Sequence, residues 1–461
     1  MRSAVAGLLL AACVGPGDSP ARSPTALPQQ PSVFFAAPAD REVDGLVFDV
    51  EPAPGGTTTL VVVPALATAD YRAHPELATL TVPVTVTAQA IEHVERRVGR
   101  ALPPPRAALA VPDPAPAAAL HGPSETRAFR IWSTRSLRYV PASGHQSLLG
   151  RHYAFYDDDT NATLLRADEY AALDAILERW WPELARTFGS PTDVDGDGHV
   201  LVLMSRTAAV EQPTHRADAD PCPMSGGADC GPPGEVIVSW SLEGLGVPLA
   251  IDELASTLLH ETVHLAQHAA AVRAGVPLQS VVLPPWVREG QAELATFVSG
   301  VGLERLWSEA RSELLQGSQL DAPFFRPYAT GALPFRWAQG RFGPDAQRAL
   351  LAASVDLAAV DPFATAFDVP EPLVLAETAL SMRLDGTELG RETGLELPLD
   401  DVLGRLGAPL PSANVAIGGV PVTTDVRFTG HADFQIVHRQ PVRLTVSTGS
   451  SIGAYALVAR P

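Results

Sequence analysis

The run LLHETVHLAQH, residues 258–268, carries three histidines spaced four apart, with a glutamate directly after the first. The whole chain of 461 residues holds only 12 histidines, so the cluster asks for a geometric reason. Residues i and i+4 of a helix share one face, about one turn apart. His260 and His264 can therefore aim two imidazoles at one point, with Glu261 beside them. Leu258, Leu259, Val263 and Leu265 supply apolar backing, and LAIDELASTLLHETVHLAQHAAAV reads as one long helix with an apolar stripe.

HETVH fits HExxH, in which two imidazoles hold a zinc ion and the glutamate acts as base towards its water. Imidazole and carboxylate donors around an open tetrahedral site suit Zn²⁺. A catalytic zinc keeps three protein ligands and one open position. His268 lies eight residues beyond His260, about 12 Å along a straight helix. One ion with bonds near 2 Å does not span that distance, so His268 is expected in a supporting or surface position. The metzincin continuation needs a Gly and a third His, and LAQHAA has neither in place. Downstream, PPWVREGQAELATFV puts Glu289 and Glu293 four apart on one helical face, with 24 residues (265–288) between His264 and Glu289. That is enough chain for a loop and a returning helix.

Taken together, HETVH and WVREGQAE resemble the HExxH and WxxEGxAE motifs of gluzincin metallopeptidases. The resemblance implies that Glu289 is the third ligand. It implies that Glu293 hydrogen-bonds a ligating histidine, with a direct ligand role as its alternative. The order DVDGDGHVLVLM, a Cys-containing loop, HETVHLAQH, WVREGQAELA and YATGALPFRWAQGRFG is similar to hyicolysin-like peptidases over roughly residues 125–390. The implied activity is peptide-bond hydrolysis with Glu261 as general base. Tyr328 would offer a phenol to the developing oxyanion, or else be a packed core tyrosine.

The run DVDGDG places Asp193, Asp195 and Asp197 as a Ca²⁺ loop begins, but the twelfth position is Met204 where an EF-hand has a bidentate Glu. A full EF-hand is excluded; a partial calcium site and a plain Asp/Gly turn both remain.

The N-terminus MRSAVAGLLLAAC has signal-peptide anatomy, and LAAC resembles the bacterial lipobox that would lipidate Cys13. The expected location is the bacterial cell envelope, or secretion. In an exported chain, Cys222 and Cys230, in a Pro/Gly-rich loop, are most simply a disulfide. The formal charge of -19 argues against nucleic acid as a partner. Membrane contact is expected only through the lipid at Cys13, and the oligomeric state is not legible. All 33 basic residues are arginine.

Val/Thr-rich runs mark β modules at 41–101 and 412–461, and Pro-rich runs mark linkers at 14–40 and 102–124. Between them, strands at TRAFRIW, GRHYAFYDDD, HVLVLMS and PGEVIVSWS lead into helices. Those helices are expected at 166–189 (started by Asp168), 285–299, 303–315 and 329–354. The expected fold is α+β: a zincin-like domain over 125–400, flanked by small β-sandwich-like modules. The expected function is an exported zinc metalloendopeptidase acting on protein or peptide. A surface lipoprotein that binds without hydrolysis, or a non-peptidase zinc hydrolase, would use the same residues. No GxSxG elbow supports a serine hydrolase.

Overall fold

The computed structural model describes residues 33–36, 41–42, 45–65, 81–95, 100–101, 125–158, 165–205, 207–208, 217–220, 223–224, 232–239, 250–276, 285–302, 331–355, 361–384, 387–393, 412–427, 431–449 and 453–460. These residues form a mixed α/β protein, with strands before helices in the central region as expected.

The strands are β1 (Val33–Ala36), β2 (Arg41–Glu42), β3 (Gly45–Val50), β4 (Thr57–Ala65), β5 (Thr81–Ala90) and β6 (Arg100–Ala101), then β7 (Thr126–Ser133), β8 (Arg138–Leu149), β9 (Tyr153–Asp158), β10 (Val200–Met204), β11 (Ala217–Asp220) and β12 (Glu235–Ser239). Near the C-terminus come β13 (Ala413–Asn414), β14 (Val422–Arg427), β15 (Ala432–Val437), β16 (Val442–Ser447) and β17 (Gly453–Ala459). The helices are α1 (Ala167–Phe188), α2 (Ile251–Arg273), α3 (Pro285–Ser299), α4 (Leu333–Phe342), α5 (Ala346–Ser354), α6 (Pro362–Phe367), α7 (Glu371–Leu384) and α8 (Glu388–Thr393).

The two β-rich segments do not form separate modules. They share two sheets, ordered β13-β15-β4-β17-β1-β6 and β14-β5-β16-β3-β2. β4 runs antiparallel between β15 and β17, and β16 runs antiparallel between β3 and β5. Strand alternation explains the pairing. Val82, Val84, Val86 and Ala88 of β5 and Val442, Leu444 and Val446 of β16 are buried at every second position. Each segment contributes strands to both sheets, interleaved with those of the other, so the two build one shared core with Phe48, Leu60, Phe434 and Ile436 in it. β1 also corrects the linker reading of 14–40: residues 33–36 pair with β17 and β6.

β4 is buried on both faces. Leu60 and Val62 face the sandwich core, whereas Val61 and Val63 join the larger core of the central region. β17 divides likewise, with Ala456 and Val458 on one side and Leu457 and Ala459 on the other. Helix α7 covers this outer face, and Arg383 bonds Asp433 of β15 at 2.6 Å.

The central sheet has the order β11-β12-β10-β9-β8-β7. β9, β10 and β12 are parallel and buried at every residue, the pattern of strands covered on both faces. Tyr153, Phe155, Val200, Val202 and Ile237 face the helices. β11 is the outer strand and runs antiparallel to β12. Helix α1 turns Tyr170, Leu173, Leu177, Leu184 and Phe188 inwards at helical spacing. Its N-cap is Arg166 rather than Asp168; Asp168 stands in the first turn, and Glu169 accepts the Arg166 N–H at 2.8 Å. The helix expected at 329–354 is two helices, parted at Gly343 (φ 87), where the chain leaves α4. The helix expected at 303–315 lies outside the described residues. Among the described residues, no helix is long and apolar enough to cross a membrane.

Candidate metal centre

Helix α2 is wedged between α1, α3 and the β11–β12 edge of the central sheet. Fourteen of its residues are buried, so its polar groups must find partners inside the protein. Helix α3 packs along it, and also lies very close to the chain entering α4. A Cβ at Gly290 would lie 2.5 Å from both the Gly331 carbonyl oxygen and Cε2 of Phe335. The absent side chain lets α3 approach the chain entering α4.

Across this contact, Nε2 of His260 and Nε2 of His264 lie 3.1 Å apart. Oε2 of Glu289 lies 3.4 Å from the first and 3.5 Å from the second. Bonds of 2.0–2.1 Å to a tetrahedral ion put neighbouring donor atoms about 3.3–3.4 Å apart. The three atoms could thus occupy three corners of a tetrahedral metal site.

The outer ring atoms strengthen the fit. Nδ1 of His264 lies 2.9 Å from Oε1 of Gln267, and Nδ1 of His260 lies 3.3 Å from Oε1 of Glu293. Each acceptor favours a proton on Nδ1, leaving the two Nε2 lone pairs facing one point. Burial opposes charge on His260, but Glu289, Glu293 and Glu261 outweigh it and raise its pKa well above the usual value. Burial likewise opposes ionisation of Glu289, yet His260 and His264 hold its carboxyl far below the usual range. The site is built to hold positive charge.

Glu261 is buried, and one of its carboxylate oxygens lies within 4.8 Å of a ring nitrogen of each histidine. Oε2 of Glu261 accepts the Ala219 N–H of β11 at 2.9 Å, so the sheet's outer strand orients it. Glu293 stands at Nδ1 of His260, on the ring side away from Nε2. That is a supporting position. His268 is mostly buried, and its Nδ1 has no hydrogen-bond partner among the described residues. Burial, with His264 and Arg288, pushes its pKa down to about 3, so the ring is neutral.

A run of glutamines, not singled out from the sequence, backs the centre. Gln267 donates to the Arg288 carbonyl at 2.9 Å and to Oε1 of Gln291 at 3.3 Å. Gln291 donates to Oε1 of Gln347 at 3.4 Å, and Gln347 donates to the Phe335 carbonyl at 2.6 Å. All three side chains are buried, joining α2, α3, α4 and α5. The available signal was spacing: Gln267 falls three residues after His264, on the same face.

Asp193, Asp195 and Asp197 form a second cluster, with oxygens mutually within 4.8 Å. Tyr328, Cys222, Cys230 and Cys13 lie outside the described residues. Comparison with models of known protein families finds no match to this chain, and comparison with curated proteins finds no relative.

Proposed function

We propose that the chain is an exported zinc-dependent metallopeptidase with a zincin-like catalytic unit over residues 125–400. The observation that carries the reading is the triangle of His260, His264 and Glu289, whose donor atoms stand 3.1–3.5 Å apart. A zinc ion held there supplies a Lewis acid that lowers the pKa of a water towards about 7 and polarises a carbonyl oxygen. Glu261 takes the proton of the attacking water on its carboxylate and delivers it to the leaving amine. The water oxygen bonds to the carbonyl carbon as the C–N bond breaks. The Ala219 N–H keeps Glu261 turned towards the site before substrate arrives. A peptide substrate is favoured because β11 is an outer strand bordering Glu261, and an extended peptide can pair with such an edge.

Metal analysis of the purified chain, wild type beside Glu289→Ala and Glu261→Gln, tests the proposal. The expected result is about one zinc per wild-type chain. Glu289→Ala loses most of it, and Glu261→Gln keeps it while casein hydrolysis falls at least about a hundredfold. Wild-type protein without zinc after reconstitution, or a Glu261→Gln variant with near-normal cleavage, would overturn it.

A further inference from the structure

The acidic run DVDGDG failed as an EF-hand for want of a carboxylate at its twelfth position. The fold supplies one from elsewhere. β10 and β12 run parallel with Val200 opposite Glu235, so Glu235 opens β12 beside the loop that leads into β10. Its side chain is 1% exposed. Oε1 accepts the Val194 N–H at 2.9 Å and the Thr192 hydroxyl at 3.4 Å. Those contacts flank Asp193 on both sides and hold the carboxyl against the loop.

We propose that Asp193, Asp195, Asp197 and Glu235 form a calcium site that clamps the start of β10 to the start of β12. The inference is independent of the zinc reading.

Three observations support it. First, among the described residues nothing donates to either oxygen of Asp193 or to Oε2 of Glu235, although all three atoms are buried. Buried carboxylate oxygens in that state lack a cation or a proton. Second, the charge does not balance. Arg127 reaches Asp195 at 2.7 Å and Asp197 at 3.3 Å, and it also donates to the Pro233 carbonyl. One guanidinium faces four carboxyl groups, with the His199 ring 3.8 Å from Asp197, so the acids outnumber the cations. Third, the loop has the turn geometry of alternating ligands. Gly196 and Gly198 both adopt φ 77, open to glycine without strain, and the turns bring the three aspartates together. Asp197 meanwhile accepts the His199 N–H at 2.9 Å through Oδ1, and Asp195 accepts the Asp197 N–H at 3.3 Å. Hard oxygen donors without nitrogen or sulfur suit Ca²⁺ rather than zinc.

The test is calorimetric titration of the full chain with CaCl2, after calcium removal on a chelating resin and with zinc content checked. Wild type, Glu235→Gln and Asp193→Asn are compared. The expected wild-type result is saturable binding of about one Ca²⁺, with Kd at or below about 1 mM, and a higher melting temperature when bound. Glu235→Gln and Asp193→Asn each weaken binding at least about tenfold. Without calcium, Glu235→Gln melts no lower than wild type, because its amide oxygen still accepts the Val194 N–H while the unpartnered Oε2 is replaced; this separates lost binding from lost folding. No saturable binding by wild type up to about 10 mM would overturn the site, leaving Glu235 as a protonated buried acid. Wild-type affinity in Glu235→Gln would overturn it as well.

Discussion

The side-chain carbonyl of Gln267 lies 2.9 Å from Nδ1 of His264, one helical turn away on the same face. The Gln267 amide nitrogen is committed to the Arg288 carbonyl, so its oxygen must face the imidazole. Gln267 therefore sets the tautomer that presents Nε2. Gln267→Leu keeps the bulk and removes the acceptor. The expected effect is a loss of about 10–100-fold in zinc affinity, measured by competition with a chromogenic chelator. Affinity within twofold of wild type would mean that another group orients His264.

Gly290 is a packing requirement at the centre's edge. Gly290→Ala would place a Cβ 2.5 Å from the Gly331 carbonyl oxygen, and backbone must yield. The expected cost is about 1–3 kcal/mol in urea unfolding. Zinc affinity should fall alongside, because α3, which carries Glu289, must shift to relieve the clash.

Phe48 and Leu444 are register partners in neighbouring strands, although 395 positions separate them in sequence order. Both are fully buried. A double-mutant cycle with Phe48→Leu and Leu444→Ala should give a coupling energy of about 0.5–3 kcal/mol in chemical unfolding. Strictly additive effects would return the two β segments to separate modules.

Glu371 opens α7 with Oε1 buried and, among the described residues, unpartnered. Burial raises its carboxyl from 4.5 to about 8. The folded chain then holds a proton that the unfolded chain has released between those values, so this group's stabilisation is lost as pH rises from about 4.5 to about 8. Glu371→Gln should flatten that part of the stability profile and gain on wild type towards pH 8, as read from urea midpoints across the range. A wild-type profile no steeper than the variant's would mean that Glu371 is not a buried protonated acid.

The helices and strands around the centre were legible because local patterns specify them. The α2 histidines fall on one turn by spacing alone, and the α3 glutamates repeat that spacing. β9, β10 and β12 are short apolar runs with turn residues around them. The edge strand β11 was missed because ADAD has no strand signal of its own; it is held by pairing to β12 and by the bond from Ala219 to Glu261. The glutamine run was missed because one amide in a helix carries no mark of burial.

By itself, the sequence determined which residue types recur at helical or strand period, and so the HETVH pair, the two glutamates four apart and the alternating aspartates. Periodicity is a property of neighbouring residues, and it survives without knowledge of the fold. Only the tertiary structure decided which periodic faces meet. It joined β3 to β16 across most of the chain, because alternation shows that a strand has a buried face but not what covers it. It brought Glu289 within 3.5 Å of both histidines through the packing of α3 on α2. It also set Glu235 into a loop some forty residues earlier, through a strand register that no local pattern encodes.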